Sequence, residues 1–271
     1  MQFKLTTPNM ELWRIENTFE NIPHAHADFY QITIPVTGTC RLTQERRVYS
    51  ISGGHALIQH PGEEHHFSLG PDGGVYIVQV RKQLLAEGWR EEEPELDSRP
   101  LFNLEDIKKR MKAWTSELLL RDGPDPLAVE ETEGRVLAYI RHMVEKNGSR
   151  VSGGLNVRHA DRAFVSGMTD ILEFIHAHYT ERLTMERLAS LVYQSKFHFI
   201  RSFTQTVGVT PYQYILRLRI EQAKEQLART RASVTEISYS LGFSSPSQLY
   251  RAFAKATGVT PEQYRKGAAP R

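Results

Sequence analysis

The chain has a single cysteine, Cys40, in 271 residues, so it can hold no internal disulfide and no Cys-rich zinc module. Long hydrophobic runs are missing too. No stretch approaches the roughly 18 apolar residues that span a membrane. The opening residues Met1 to Pro8 have neither the basic flank nor the apolar core of a secretory signal, so a cytoplasmic protein is expected. An excess of charge is also missing, with a formal net charge of +2 overall.

That near-neutrality hides a division. Up to residue 167 the chain carries 20 Lys+Arg against 24 Asp+Glu, and beyond it 14 against 8, so about −4 is followed by +6. A basic C-terminal part suits a phosphate backbone. A hydrophobic content of 40% and a charged content of 24% are those of a globular protein, and the length suits two domains.

The N-terminal part reads as β. Phe29 to Val36, Arg41 to Thr43, Val48 to Ile51, Ala56 to Gln59 and Val75 to Val80 are short strand-like stretches, separated by Gly38, Gly53-Gly54, Pro61-Gly62 and Pro71-Asp72-Gly73-Gly74. Many short strands at this spacing predict a sandwich or barrel over about residues 1–82. Two amphipathic helices follow within 103–146, one with Ile107, Met111, Trp114 and Leu118 on a face, the other with Val129, Val136, Leu137, Ile140, Met143 and Val144. Such stripes can close a core or form a homodimer seam. The Gly-, Ser- and Asn-containing stretch 147–167 reads as a linker, and 168–271 as an all-helical domain.

Within that domain two stretches about fifty residues apart are versions of one another. Ser195, Arg201, Phe203, Gly208-Val209-Thr210-Pro211, Gln213 and Tyr214 recur as Ser245, Arg251, Phe253, Gly258-Val259-Thr260-Pro261, Gln263 and Tyr264. Each copy predicts a helix-turn-helix. Ser195 and Ser245 have N-cap chemistry, Pro246 suits a first helical position, and Ser245-Pro246-Ser247-Gln248 and both Thr-Pro-x-Gln runs have capping-box spacing. Gly208 and Gly258 suit left-handed helix stops.

A helical wheel turns Phe199, Phe203 and Val207, and Leu249, Phe253 and Ala256, toward the interior. Opposite lie Phe197, Ile200, Arg201 and Thr204, and Ser247, Tyr250, Arg251 and Ala254. Arginine at matching positions can place a bidentate fork on guanine, Ser247 can bond a base edge, and Phe197 and Ile200 can touch thymine methyls. Lys196 suits a phosphate, and Ser245 lies at the start of the second reading helix. A connecting helix from Pro211 to about Leu227, roughly 25 Å long, would set the two reading helices near one turn of B-DNA apart.

Over about residues 168–266 the chain resembles the AraC/XylS family of transcription regulators. The run Thr235 to Phe253, followed by Gly258 to Arg265, carries the resemblance almost residue for residue. The first copy departs where the family has a turn glycine. Gly242 matches it, whereas Tyr193 stands in the first copy, where a positive φ would be strained unless the turn differs or packing ties the residue down. The resemblance implies promoter DNA and RNA polymerase as partners and a ligand-sensing, dimerising N-terminal domain over 1–146.

Six of the eleven histidines, His24, His26, His55, His60, His65 and His66, lie between positions 24 and 66. His24-Ala25-His26 places two imidazoles on one face of a strand. His24-x-His26 with Gln31, and Gly54 with Pro61-Gly62-Glu63-Glu64-His65, resemble the two motifs of the cupin barrel. That resemblance implies an effector pocket at His24, His26, Gln31 and His65. Glutamine replaces the usual glutamate and is a weaker ligand, so three occupancies stay open: a divalent ion such as zinc, nickel, iron or copper, an organic effector on the same side chains, and no ligand. His55, His60, His176, His178 and His198 are expected in ordinary loop, surface or packing roles.

The expected function is a promoter-binding regulator, not an enzyme, whose DNA binding responds to a small-molecule effector or metal. The alternative is a metal-dependent cupin enzyme fused to a helical domain. A repair protein transferring methyl groups to an activated thiol would have to use Cys40, which has no partner cysteines.

Overall fold

The computed structural model describes residues 2–86, 99–119, 125–144 and 157–268, with only the backbone for 157–166. The chain divides into two compact units: Met1–Leu119 with Arg135–Val151, and Leu120–Gly134 with Ser152–Arg271.

The first unit contains nine strands: β1 (Gln2–Thr6), β2 (Met10–Glu16), β3 (Phe19–Glu20), β4 (Phe29–Thr37), β5 (Thr39–Gln44), β6 (Arg47–Ser52), β7 (Leu57–Gln59), β8 (His65–Leu69) and β9 (Gly74–Arg81). They form two antiparallel sheets, ordered β1-β2-β9-β4-β7 and β3-β8-β5-β6. This is a cupin-like β-domain built as two sheets rather than one closed ladder. Strand alternation sends Ile15, Leu57, Val75 and Ile77 of the first sheet and Cys40, Leu42, Phe67 and Leu69 of the second into a shared core. Burial pushes the Cys40 thiol up to about 12, which leaves it inert as a nucleophile at neutral pH.

Helix α1 (Lys82–Ala86) is short; α2 (Leu104–Leu118) and α3 (Pro126–Val144) follow. On α2 the predicted stripe Ile107, Met111, Trp114 and Leu118 is fully buried, as are Val136, Leu137, Ile140 and Val144 on α3, while Val129 and Met143 of the α3 stripe are half-buried. The α2 stripe and most of the α3 stripe therefore serve the core of the chain itself, and a homodimer through 103–146 would have to use mainly other faces. Asn103 caps α2 by accepting from the Asp106 amide.

The second unit holds the start of α3 and seven helices: α4 (Val157–His178), α5 (Met185–Ser190), α6 (Lys196–Val207), α7 (Pro211–Arg229), α8 (Val234–Ser240), α9 (Pro246–Thr257) and α10 (Pro261–Ala268). Of the stretch expected as a linker, residues 147–156 lie outside the described residues, and from Val157 the chain is already helical. Gly167 sits inside α4, a position that costs about 1 kcal/mol relative to alanine. Two cores flank α7. Ile171, Ile175, Leu188, Phe199, Phe203 and Ile215 fill one, and Ile220, Leu227, Ile237, Leu249 and Phe253 fill the other.

Local signals set the helix ends. Ser195 and Ser245 each accept an amide three residues on, and Thr210 completes a full capping box with Gln213 before Pro211. Gly208 and Gly258 close α6 and α9, each at φ 79°. Ser245 makes only half of its expected box, because the Gln248 carboxamide oxygen accepts instead from the Ser244 amide at 2.7 Å.

Candidate DNA interface and sensor site

The repeat folds as two helix-turn-helix pairs, α5 with α6 and α8 with α9, joined by α7. Tyr193 and Gly242 both take left-handed backbone in the turns, at φ 53° and 77°. Their surroundings differ. A Cβ on Gly242 would lie 2.4 Å from the Thr180 carbonyl oxygen, so only glycine fits, whereas the Tyr193 side chain is 99% exposed and meets nothing. The turn keeps its shape, and Tyr193 is not held by packing.

The reading faces are only partly as the wheel predicts. Arg201 is exposed, and Ser247, Tyr250, Arg251, Thr204 and Phe197 are half-buried. Ile200 is a correction: at 5% exposure it belongs to the first core with Phe199, Phe203 and Leu127. Its β-branched apolar side chain gains more from burial than from solvent. Ala256, expected inside, is exposed near the end of α9. Lys196 pairs with Glu186 at 2.5 Å, and the Ser245 hydroxyl is used as a cap.

Sequence reasoning missed a polar seam within this unit. Asp125 accepts from the Leu127 amide at 2.8 Å and from the Gln248 carboxamide at 2.7 Å, with Arg219 Nη1 3.9 Å away. Glu130 accepts from the Met185 amide at 2.8 Å, and Glu131 from the Tyr212 amide at 2.9 Å. Burial pushes both carboxyls up to about 7. The pairs Glu130-Glu131 at the head of an apolar helix, and Arg219 on the inner face of α7, were the available signals.

In the first unit, His24, His26 and His65 converge, with their ligand nitrogens within 4.8 Å of one another. His24 and His26 lie in the loop before β4, not on a strand, so it is not strand alternation that pairs them. Instead His24 and His65 exchange backbone hydrogen bonds at 3.1 and 2.8 Å. Nδ1 of His24 is 2.8 Å from the Ile22 carbonyl and Nδ1 of His65 is 3.0 Å from that of Glu63, contacts that fix both rings. His65 Nε2 is buried with no hydrogen-bond partner among the described residues. Burial holds His65 down at about 4, so its ring is neutral at physiological pH, and burial and then His24 lower His26.

Gln31 stands behind this cluster. Its carboxamide oxygen accepts from Gln79 at 2.8 Å and its nitrogen donates to Thr33 at 3.2 Å, while the Gln79 nitrogen also lies 3.0 Å from His26 Nε2, so Gln79 links Gln31 to the cluster. Thr33 donates in turn to Gln59 at 3.0 Å. Gln79, Gln59 and Thr33 carry no sequence signal beyond their period-two placement on β4, β7 and β9. His60 packs edge-on to Tyr30, and His176 and His178 bond to Tyr214 and Glu181, all ordinary roles.

Two family matches cover both parts. Residues 13–127 match the AraC-like ligand binding domain, and residues 188–267 match a helix-turn-helix domain. The chain belongs to the AraC family of transcriptional regulators. Among its relatives, YbfI of Bacillus subtilis, an HTH-type transcriptional regulator, is 25% identical over 89% of this chain and 86% of its own length. YobQ of the same organism, also an HTH-type transcriptional regulator, is 27% identical over 86% and 84%. The DNA-binding domain of AdpA, solved with a target DNA, is 30% identical over 37% of this chain and 90% of that one, with a TM-score of 0.36. As an AraC-type regulator the chain binds DNA through its helix-turn-helix pairs and carries a ligand-binding N-terminal domain. No described helix is long and apolar enough to cross a membrane.

Proposed function

We propose that this regulator senses a divalent transition-metal ion, zinc being the best chemical match, at His24, His26 and His65, and that occupancy alters its affinity for promoter DNA. The observation that carries the reading is the buried, unpartnered Nε2 of His65 beside two further imidazoles. A buried polar atom without a partner costs free energy that a metal bond would recover. Three converging imidazoles suit zinc, copper, nickel or iron. Tetrahedral zinc, about 2.0–2.1 Å from each nitrogen, needs the nitrogens drawn in to roughly 3.4 Å of one another, within reach of ring rotations.

The ion would act as a structural cross-link between the loop before β4 and strand β8. Gln79, 3.0 Å from His26 Nε2, would orient His26, with Gln31 behind it rather than among the ligands. Arg201, Ser247 and Arg251 are the side chains offered for base reading, with Thr204 and Tyr250 beside them. A homodimer and contact with RNA polymerase belong to the same reading, supported by family membership. No catalysis is required, and relatives named as regulators favour this over a cupin enzyme.

Calorimetric titration of chelator-treated protein with zinc and nickel tests the ion. Saturable binding of one ion per chain, lost in His65→Ala and His24→Ala, is expected. Absence of saturable binding, or binding unchanged by both substitutions, refutes the metal reading and leaves the pocket to an organic effector.

A further inference from the structure

Each reading helix has a residue near its reading face that is tied instead to the segment Asp125–Gly134 of the same unit. On α6, Ile200 shares a core with Leu127, and a Cβ placed on Gly134 would lie 2.9 Å from Ile200 Cδ1 and 3.2 Å from Phe197 Cδ1. On α9, Gln248 is 3% exposed and donates to Asp125.

The directions of these contacts locate the segment. At about 100° per residue, Phe197 and Ile200 stand roughly 80–140° to one side of the inward pair Phe199 and Phe203. Gln248 stands roughly 120° to the other side of Leu249 and Phe253. The two helix-turn-helix pairs are copies, so opposite flanks of α6 and α9 face each other across α7. A segment touching both flanks, and also Arg219 on α7, lies between the reading helices. When two reading helices enter successive major grooves about 34 Å apart, the duplex backbone crosses that strip.

The segment also has the chemistry of a backbone substitute. Asp125, Glu130, Glu131 and Glu133 fall within ten residues. Asp125, Glu130 and Glu131 take N–H donors from Gln248, Met185 and Tyr212, and Asp125 faces Arg219. Paired oxygens accepting from amide and arginine donors are what DNA phosphates offer.

We propose that Asp125–Gly134 is an autoinhibitory element that fills the strip between the two reading helices and must leave before Phe197 and Ile200 can reach DNA. It uses the DNA binding of the family and is independent of the histidine site. Its presence explains why Ile200, on the flank of the reading face, is buried. The apparent DNA affinity is then reduced by the fraction of molecules in which the segment is seated.

The test uses the full chain and Gly134→Leu. Leucine has no room against Ile200 and Phe197, yet favours helix over glycine, so α3 persists while its seat is lost. The readout is fluorescence anisotropy with a 30-base-pair random-sequence duplex pool at low salt. The expected result is binding at least about tenfold tighter than wild type, corresponding to a segment seated about nine-tenths of the time. Phe197→Ala should then weaken binding in the Gly134→Leu background more than in wild type. Affinity unchanged or weaker, in a variant whose circular dichroism matches wild type, overturns the proposal and makes the segment a scaffold. If Gly134→Leu does not fold, Asp125→Ala with Glu131→Ala decides by the same criterion.

Discussion

Replacing Glu131 by glutamine isolates the cost of one buried carboxylate in the DNA-binding unit. The side chain is 2% exposed, and its carboxyl is raised from an ordinary 4.5 to about 7, burial outweighing its hydrogen bonds from Thr210 and the Tyr212 amide. Below pH 4.5 the folded and unfolded chains both hold the proton. Between 4.5 and 7 the unfolded chain releases it first, so stability falls as pH rises, and above 7 the loss is complete. A gap of about 2.5 at about 1.4 kcal/mol each gives about 3.5 kcal/mol in all, of which about 2.5 kcal/mol falls between pH 5 and pH 8 because part of the loss precedes pH 5. Glutamine keeps a carbonyl for the Tyr212 amide and has no proton to lose. Urea denaturation at pH 5 and pH 8 should therefore show Glu131→Gln gaining about 2.5 kcal/mol on wild type between the two pH values, whatever constant offset the amide adds. A difference between the proteins that is the same at both pH values refutes the reasoning.

The turns and the reading face give further tests. Gly242→Ala puts a methyl 2.4 Å from the Thr180 oxygen at φ 77° and should cost roughly 2–3 kcal/mol in denaturation, whereas Tyr193→Gly relieves a left-handed residue that packs on nothing and should gain about 1 kcal/mol. Arg251→Ala should lose about 1–3 kcal/mol of specific binding and relax preference at one base pair in a selection experiment, while equal loss on specific and random DNA would make it a phosphate contact.

Local rules specify most of this fold. Ser195, Ser245, Thr210, Gly208 and Gly258 mark helix boundaries through their own hydrogen bonds and backbone preferences, and the structure places them there. The stripe of α2 and the period-two strands are equally direct, since burial follows periodicity. Long-range placement is different. Nothing local about Ile200 distinguishes a side chain offered to DNA from one covered by a distant segment, and in this structure Leu127 and its neighbours cover it. Ala256 failed for the opposite reason, as a small residue in the last turn of α9 gains little from burial. His24 and His26 were rightly grouped with His65, although a loop and a backbone bridge, not a strand, bring them together. The Asp125, Glu130 and Glu131 contacts depend on the tertiary seat of α3, and the charges on apolar faces that hint at them do not name their partners.

The central claim is that an ion held by His24, His26 and His65 governs DNA affinity. The most direct measurement is the affinity of the full chain for a DNA site selected from a random library, with zinc and with chelator, in wild type and His65→Ala. The account predicts a change of about fivefold or more in wild type and none in His65→Ala, fivefold being the lower end of ordinary allosteric coupling. Equal affinity with zinc and chelator in wild type, or the same response in His65→Ala, would contradict it.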